Sequence, residues 1–250
     1  MKKILTMAIS LLMIFSVAVV ANAESVSDCI TNKYNNEPTA FSVFDYAENV
    51  TKTECIPIKG SSQTYTELYC EVTDAAVIQR LYEQGVIERN KDGTLPKKVS
   101  LTQLVLDDQK ELQETKGGIT ISKTNYYDGR YFDEYDRYVV SGPCEFTQVY
   151  SRTSTASWNT SMSGSVNVGG TVYGIADVRA SVSASMGYTI GNSYTKSSTY
   201  KVNVPNNKIW TIKVWTSYRV FTYTAKVGSK TIATGKAWYP NGLVILKTES

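Results

Sequence analysis

The chain has 250 residues, with 26 basic side chains, 23 acidic side chains and no histidine. The absence of histidine excludes Ser-His-Asp and Cys-His catalytic sites, and the sequence contains neither a P-loop nor a Gly-x-Gly-x-x-Gly motif. We therefore expect a protein that is not an enzyme and that holds no cofactor and no metal ion.

The first 23 residues have the organisation of a secretory signal peptide. Lys2 and Lys3 precede an apolar run from Ile4 to Val20, and Ala21-Asn22-Ala23 provides a small-x-small cleavage pattern. We predict a signal peptide over residues 1–23 and a secreted, extracellular protein. The alternative is an uncleaved membrane anchor, because the apolar run is near the lower length limit for a span.

The rest of the chain divides into two oppositely charged regions. Residues 24–145 carry 13 basic and 21 acidic side chains, whereas residues 146–250 carry 11 and 2. We predict an acidic α+β region over 24–145 and a Ser/Thr-rich antiparallel β domain over 146–250. The lysines of the basic region are scattered rather than clustered, which argues against nucleic acid as a partner.

Four cysteines all lie in the acidic region, at Cys29, Cys55, Cys70 and Cys144. An even number of cysteines in an exported chain predicts disulfides, here two. Three pairings are possible, and we favour Cys55–Cys70 across a local hairpin with Cys29–Cys144 joining the ends of the region. A metal site is the weaker interpretation, because the chain has no CxxC pair.

The acidic region contains one well-marked helix. Asp74 is a suitable N-cap for a helix over Ala75–Gln84, and Gly85 is a suitable terminator. The charged stretch Asp107–Lys116 is predicted to form a second, exposed helix. The extended segments predicted around them are Ser61–Val72, Ser100–Leu106 and Ile119–Tyr127.

A cluster of tyrosines and acids spans Tyr126–Tyr138. Aromatic faces and carboxylates are typical of carbohydrate-stacking or calcium-binding loops, and a carboxylate pair is also what glycoside hydrolysis needs. The simpler interpretation is a hairpin that turns at Asp128-Gly129, with tyrosines covering a sheet. The candidate ligand residues in this cluster are Tyr131, Tyr135, Asp133 and Asp136.

Residues 162–190 alternate with a period of two. The even positions are uncharged and, apart from Tyr188, apolar, whereas the odd positions are polar or glycine except at Tyr173 and Ile175. This alternation predicts strands with one apolar face and one hydroxyl-rich face.

The alternating stretch is too long for one strand, so we predict a hairpin over residues 161–190. Even positions face even positions if the loop is centred on Ile175, which places Val168 opposite Val182. Each arm then has about 10–13 residues, enough for a tilted strand to cross a bilayer with its polar face toward the lumen of a barrel. The alternative is a half-buried hairpin whose apolar face packs on the core of a soluble sheet.

The predicted lipid-facing residues are Val166, Val168, Val172, Val178, Val182, Met186 and Ile190. The aromatic residues predicted to lie at the membrane interface are Trp158, Tyr188 and Tyr194. Beyond the hairpin, we predict strands over Tyr200–Val204, Ile209–Tyr223 and Leu243–Lys247, with turns at Val227–Lys230 and Tyr239–Gly242.

The Ser/Thr-rich alternating hairpin and the returning stretch Ser193–Pro205 resemble the membrane-insertion region of aerolysin-like β-pore-forming toxins. Together with Gly142-Pro143-Cys144 and Gly235–Pro240, the stretch is also similar to uncharacterised secreted proteins of Gram-positive bacteria. The resemblance covers roughly residues 142–245. It implies a mainly β, elongated antiparallel protein. From the residues of the acidic region itself we expect a small disulfide-bonded α+β region at the N-terminal end.

The same resemblance implies a mechanism. A soluble monomer would bind a target-cell membrane, self-associate into a ring and insert the hairpin of each copy into a shared barrel. The alternative function is a non-lytic secreted or cell-envelope protein that binds a carbohydrate or a protein. In that case the tyrosine-acid cluster would contact the ligand and the sheet would be a scaffold.

Overall fold

The computed structural model describes residues 37–57, 64–106, 117–131 and 134–249, without the side chains of 54–57 and 106. The fold is mainly β, as the sequence predicts, and every strand pairing is antiparallel. The signal peptide, Cys29 and the helix predicted over Asp107–Lys116 lie outside the described residues.

The secondary structure contains thirteen strands and two α-helices within the described ranges. The strands are β1 (Thr39–Ala40), β2 (Thr51–Pro57), β3 (Thr64–Val72), β4 (Val99–Leu106), β5 (Ile119–Arg130), β6 (Tyr135–Ser141), β7 (Cys144–Thr155), β8 (Ser157–Trp158), β9 (Ser165–Val168), β10 (Thr171–Gly174), β11 (Ser193–Val204), β12 (Ile209–Val227) and β13 (Lys230–Glu249). The helices are α1 (Ala75–Glu83) and α2 (Ile175–Met186), with a 3₁₀ turn at Val43–Asp45.

A nine-stranded sheet, called here the large sheet, organises the chain. Its strand order is β1-β5-β12-β13-β4-β3-β2. In addition, β6 pairs with β12 and β8 pairs with β13. The long hairpin β12–β13 is its centre, and its tight turn between Val227 and Lys230, with Gly228 at φ +57°, confirms the predicted turn. The predicted boundary at 145/146 falls inside β7, and strands from both predicted regions share this sheet.

The turn predicted at Tyr239–Gly242 is wrong. Strand β13 runs straight through these residues: Tyr218 pairs with Pro240 and Ser217 with Gly242, which leaves Asn241 as an extra residue. This is a β-bulge, one of the few places in a sheet where proline is accepted. The glycine is required by close packing, because a Cβ on Gly242 would lie 1.7 Å from the carbonyl oxygen of Leu104.

The extra residue of this bulge is on β13, so the side chains of β12 continue to alternate between the two faces of the sheet. The even residues Ile212 and Val214 pack under β7 and β11, and we call this side of the large sheet the ribbon face. The odd residues lie on the opposite side, where Trp215 packs in the core that α1 covers and Phe221 and Tyr223 pack under residues 156–190.

Helix α1 forms where the sequence predicts it. The Asp74 carboxylate accepts hydrogen bonds from the backbone N–H groups of Ala76 (2.9 Å) and Val77 (3.0 Å), and Gly85 takes φ +70° just beyond the last turn. The apolar side chains of Ile78 and Leu81 are buried against the large sheet.

Replacing the helix cap should cost stability without disturbing the sheet. We expect Asp74→Ala to lower the free energy of unfolding by about 1 kcal/mol, because two N–H groups lose their acceptor. Urea denaturation measures the change, and Asp74→Asn, which keeps an acceptor oxygen, is the control. Equal losses in both variants would contradict the capping role.

The structure does not contain the predicted disulfide between Cys55 and Cys70. Among the described residues neither Cys70 nor Cys144 forms a disulfide, and Cys70 is buried. In the β2–β3 pairing Lys52 lies opposite Leu68 and Ile56 opposite Tyr65, so Cys55 is about four residues along the strand from Cys70. That is roughly 13 Å, beyond the Cα separation that a disulfide spans. Because Cys29 lies outside the described residues, the Cys29–Cys144 pairing stays a prediction.

The hairpin predicted at Asp128-Gly129 is also wrong. Strand β5 continues to Arg130, and β5 and β6 both pair with β12, one after the other, rather than with each other. Gly129 is needed inside the strand because the backbone of β1, which pairs with β5, lies very close to it. A Cβ on Gly129 would lie 2.9 Å from the carbonyl oxygen of Thr39.

Candidate functional site

A two-stranded ribbon of β7 and β11 lies on the ribbon face of the large sheet. The strands pair over twelve residues each, from Thr155 opposite Ser193 at one end to Cys144 opposite Val204 at the other. The two residue numbers of every pair add to 348. The even residues, such as Tyr150 and Tyr200, turn toward the sheet, whereas the odd residues of both strands are exposed apart from the half-buried Thr155. The ribbon therefore has one packed face and one solvent face.

Residues 156–192 connect the two ribbon strands at one end, and we call them the intervening segment. They form β8, the small hairpin β9–β10 and α2. Their apolar side chains pack on Phe221, Tyr223 and Ala225 of β12, on the side of the large sheet opposite the ribbon face. The buried apolar members of the segment are Ala156, Met162, Val178, Val182, Met186 and Ile190.

The predicted hairpin register is wrong in this structure. The turn is at Gly169-Gly170, so Val168 pairs with Thr171 rather than with Val182, and residues 175–186 are helical. The even positions Val178, Val182 and Met186 are four residues apart, and a spacing of four gives one face on a helix as well as on a strand.

The remaining predicted lipid-facing residues lie nearer the surface. Val166 and Val168 are half-buried against the same core, and Val172 is 61% exposed. The sheet thus covers the apolar face of the segment over most of its length and leaves the tip of the small hairpin in solvent.

Helix α2 depends on tertiary packing. It has only twelve residues, three of them serine and three β-branched, and such a sequence is a poor isolated helix. Ser181 Oγ donates to the carbonyl of Asp177 (2.9 Å) and Ser185 Oγ to that of Val182 (2.8 Å), a bonding pattern that weakens helices slightly. Its N-terminus is held by Asp177, whose carboxylate accepts from Gly174 N–H at 2.8 Å.

Hydrogen bonds hold the intervening segment on the large sheet at several points. Tyr223 Oη donates to the carbonyl of Asn159 (3.0 Å), and burial raises the pKa of this phenol to about 12, so it stays a donor at ordinary pH. Ser161 N–H donates to the carbonyl of Thr234 (2.8 Å). Lys123 Nζ donates to the carbonyl of Ser185 at 2.8 Å, at the C-terminal end of α2.

Gly235 allows the segment to approach β13 closely. A Cβ at this position would lie 2.1 Å from the carbonyl oxygen of Asn159 and 2.9 Å from its carbonyl carbon. Because both atoms belong to the backbone, the clash can be relieved only if the strand or the segment moves.

Gly235→Ala should therefore loosen the segment. We expect a lower thermal midpoint and cleavage of residues 156–162 at least ten-fold faster under limited proteolysis, because the added methyl displaces the backbone at Asn159. The matched control is Gly228→Ala, where a Cβ meets nothing within 4 Å and only the positive φ of +57° is strained. Equal cleavage rates in the two variants would contradict the packing role.

The three predicted interface aromatics lie near the end of the ribbon. Tyr188 stacks on Tyr239 with 4.5 Å between ring centroids and meets the edge of Tyr194 at 4.8 Å. Trp158 stacks on Tyr223 at 6.0 Å. The structure therefore brings all three to the region where the intervening segment leaves the ribbon.

Polar contacts attach the ribbon itself to the large sheet. Arg152 forms an ion pair with Asp136 (2.9 Å) and donates to the carbonyl of Glu134 (3.0 Å). The hydroxyls of Ser154 and Thr216 are 2.8 Å apart in a buried position. Sequence reasoning missed this attachment, because its partners are distant in sequence.

The predicted tyrosine-acid cluster is not a single site. Tyr131 packs against Tyr218 (5.2 Å between ring centroids) and Tyr135 against Trp215 (5.3 Å), whereas Asp136 pairs with Arg152 on the other side of β6. Asp133 lies outside the described residues. Among the residues that the structure describes, no three metal-ligating side chains lie close enough together to hold an ion.

The described part of the chain contains no helix with the length and hydropathy needed to cross a membrane. No protein-family model matches the chain, and no curated protein matches it.

Two solved structures are similar to this chain. One is a candidate pore-forming toxin from Bacteroides vulgatus, with 5% identity, a TM-score of 0.32 and coverage of 81% of this chain and 82% of that one. The other is parasporin-2, a Bacillus thuringiensis toxin that recognizes cancer cells, with 14% identity, a TM-score of 0.17 and coverage of 60% and 71%. TM-scores below 0.5 do not establish a shared fold, so the functional case depends on the residues of this chain.

Proposed function

We propose that this protein is a secreted β-pore-forming protein that oligomerises on a target membrane and inserts the intervening segment as a hairpin. In the proposed transition the segment leaves the large sheet, α2 unravels, and the residues of the segment pair with one another as an extension of β7 and β11. The mechanism requires no catalytic centre and no cofactor.

The observation that carries this proposal is the register of the ribbon. If the same register continues into the segment, so that the residue numbers of each pair still add to 348, Gly174 lies at the tip of the hairpin. The opposed pairs then include Met162 and Met186, Val166 and Val182, and Val168 and Ala180. Even residues then face even residues throughout, so one face of the extended hairpin is apolar from residue 162 to residue 186. A ribbon register with an odd sum would have mixed the two faces.

The dimensions of the extended hairpin suit a bilayer. The arms 162–171 and 177–186 each contain ten residues, within the length that a tilted strand needs to cross the hydrocarbon core. The hydroxyl-rich odd face would line water, and the odd-numbered charges Asp177 and Arg179 would lie near the tip, away from lipid. Trp158 and Tyr188 would lie at the base, where interfacial aromatics are expected.

The energy balance of the segment itself supports such an exchange. Its apolar face is covered by Phe221, Tyr223 and Ala225 before the transition and would be covered by lipid after it, so the segment keeps its apolar burial, and the cost is the uncovering of these three sheet residues. The backbone groups of α2 would exchange intrahelical hydrogen bonds for cross-strand bonds, which satisfies them inside the bilayer.

Cysteine scanning with an environment-sensitive dye tests the proposal. In a chain whose four native cysteines are replaced by serine, single cysteines at positions 162–171 would be labelled with a fluorophore that brightens in lipid, and the protein would be added to liposomes that contain a quenched dye. We expect dye release, membrane-bound oligomers and a signal that alternates between even (lipid) and odd (water) positions. The proposal is wrong if no vesicle or cell membrane leaks or collects oligomers, or if the signal follows a helical period.

A further inference from the structure

A pocket with a volume of about 530 Å³ lies on the opposite side of the large sheet from the ribbon. It is formed where the end of α1, the loop after it, β6 and β12 meet. The side chains that matter for its chemistry are Tyr82, Glu83, Glu88, Arg89, Tyr135 and Lys213. Its volume is in the range of sites that bind small molecules.

The charges that line this pocket are balanced. Lys213 is 2% exposed, and its Nζ lies 3.0 Å from Glu88 Oε1 and donates to the carbonyl of Val86 at 3.3 Å. Glu88 also pairs with Arg137 at 3.1 Å. Partial burial alone would raise the pKa of Glu88, but its hydrogen bonds and charge contacts to Lys213 and Arg137 lower it, so the carboxylate is ionised. With Glu83 and Arg89, the pocket presents two anions and two cations.

Two tyrosines provide flat surfaces in the same place. The Lys213 ammonium lies 4.7 Å from the centre of the Tyr135 ring, and the Arg89 guanidinium lies 4.6 Å from the centre of the Tyr82 ring. These cation–π contacts fix the rings in position, and both tyrosines remain partly exposed.

We infer that this pocket binds a neutral carbohydrate. Sugar hydroxyls both donate and accept hydrogen bonds, which matches the exposed carboxylate acceptors of Glu83 and Glu88 and the exposed guanidinium donor of Arg89. Partly exposed tyrosine rings suit the apolar face of a sugar ring. A phosphate, sulfate or sialic acid would meet the carboxylates of Glu83 and Glu88, and among the lining residues Ile87 alone is aliphatic, which disfavours a lipid chain.

This inference is independent of the proposed insertion. The pocket residues are absent from the core that the intervening segment forms with the large sheet, so a variant in one site leaves the other intact. A protein that forms pores without binding sugar, or binds sugar without forming pores, would separate the two conclusions.

Saturation-transfer NMR on the full chain tests the site with a panel of neutral disaccharides: lactose, maltose, cellobiose and N,N′-diacetylchitobiose. We expect transfer to at least one of them at millimolar concentration, and at least a ten-fold weaker affinity in Tyr135→Ala. Tyr131→Ala is the matched control, because Tyr131 packs on Tyr218 outside the pocket, and it should bind as the unaltered protein does.

A second variant covers the case in which Tyr135→Ala does not fold. Arg89→Ala removes an exposed side chain from the rim and should weaken binding at least three-fold with an unchanged thermal midpoint. No transfer from any of the four disaccharides would overturn the assignment, as would equal binding in the Tyr135 and Tyr131 variants. Binding only of sialylated or sulfated sugars, included as a separate arm, would overturn the neutral class.

Discussion

Joining Ser161 to Thr234 by a disulfide is expected to abolish membrane permeabilisation, and reduction is expected to restore it. The two hydroxyl oxygens are 3.2 Å apart, and the backbone N–H of Ser161 donates to the carbonyl of Thr234, so cysteines at both positions need little movement to bond. Because Ser161 belongs to the intervening segment and Thr234 to β13, the bond would hold the segment on the large sheet. Dye release from liposomes, with and without reductant, measures the effect, which we expect to exceed 100-fold.

The control for this lock is a disulfide within the ribbon. The hydroxyls of Thr153 and Thr195 are 2.8 Å apart across the β7–β11 pair, and these residues remain partners before and after the proposed transition. The pair T153C and T195C should therefore cross-link equally well and leave dye release within about two-fold of the unaltered protein. Full activity of the oxidised S161C and T234C pair would mean that the segment never leaves the sheet.

Local signals in the sequence were sufficient for the elements that depend on neighbouring residues. Asp74 and Gly85 specify both ends of α1, and Gly228 specifies the β12–β13 turn, because caps and tight turns are made within a few residues of chain. The same logic failed at Asp128-Gly129 and at Tyr239–Gly242. At both places the glycine is required because the backbone of a paired strand lies close to it, and that strand is remote in sequence.

The alternating segment shows a different limit. Residues that repeat every second position also include residues that are four positions apart. Val178, Val182 and Met186 therefore form one face on a strand and also on a helix. In this structure Asp177 caps the helix and Gly187, at φ +71°, ends it, and these two residues were visible in the sequence. The ribbon was missed although its odd positions are mostly Ser and Thr, because pairing of residues 144–155 with 193–204 is a long-range contact.

The carbohydrate pocket was beyond sequence reasoning for the same reason. Tyr135 was selected from its local cluster, but its partners Lys213 and Glu88 come from strands and loops that are far from it in the chain. The buried ammonium of Lys213 had no distinguishing pattern in the sequence. Only the pairing of β6 with β12, in which Tyr135 lies opposite Trp215, brings these groups together.

Two adjacent substitutions should distinguish the lipid face of the segment from its water face. We expect Val168→Asp to reduce dye release at least ten-fold, because an ionised carboxylate on the lipid face costs about 2 kcal/mol or more in every copy of a ring. Asn167→Asp places the same charge one residue earlier, on the odd face, and should retain release within about two-fold. In the soluble protein Asn167 is exposed, and its Oδ1 accepts from Gly170 N–H at 3.1 Å, a bond that aspartate can keep.

The direction of the Val168 effect separates insertion from simple loosening. Val168 is half-buried against the core that the intervening segment forms with the large sheet, so an aspartate there weakens the attachment of the segment before any membrane is met. If release depended only on how easily the segment detaches, Val168→Asp would leak faster than the unaltered protein. A slower leak, with a thermal midpoint lowered by only a few degrees, therefore requires that residue 168 enter lipid; a faster leak would contradict the extended register.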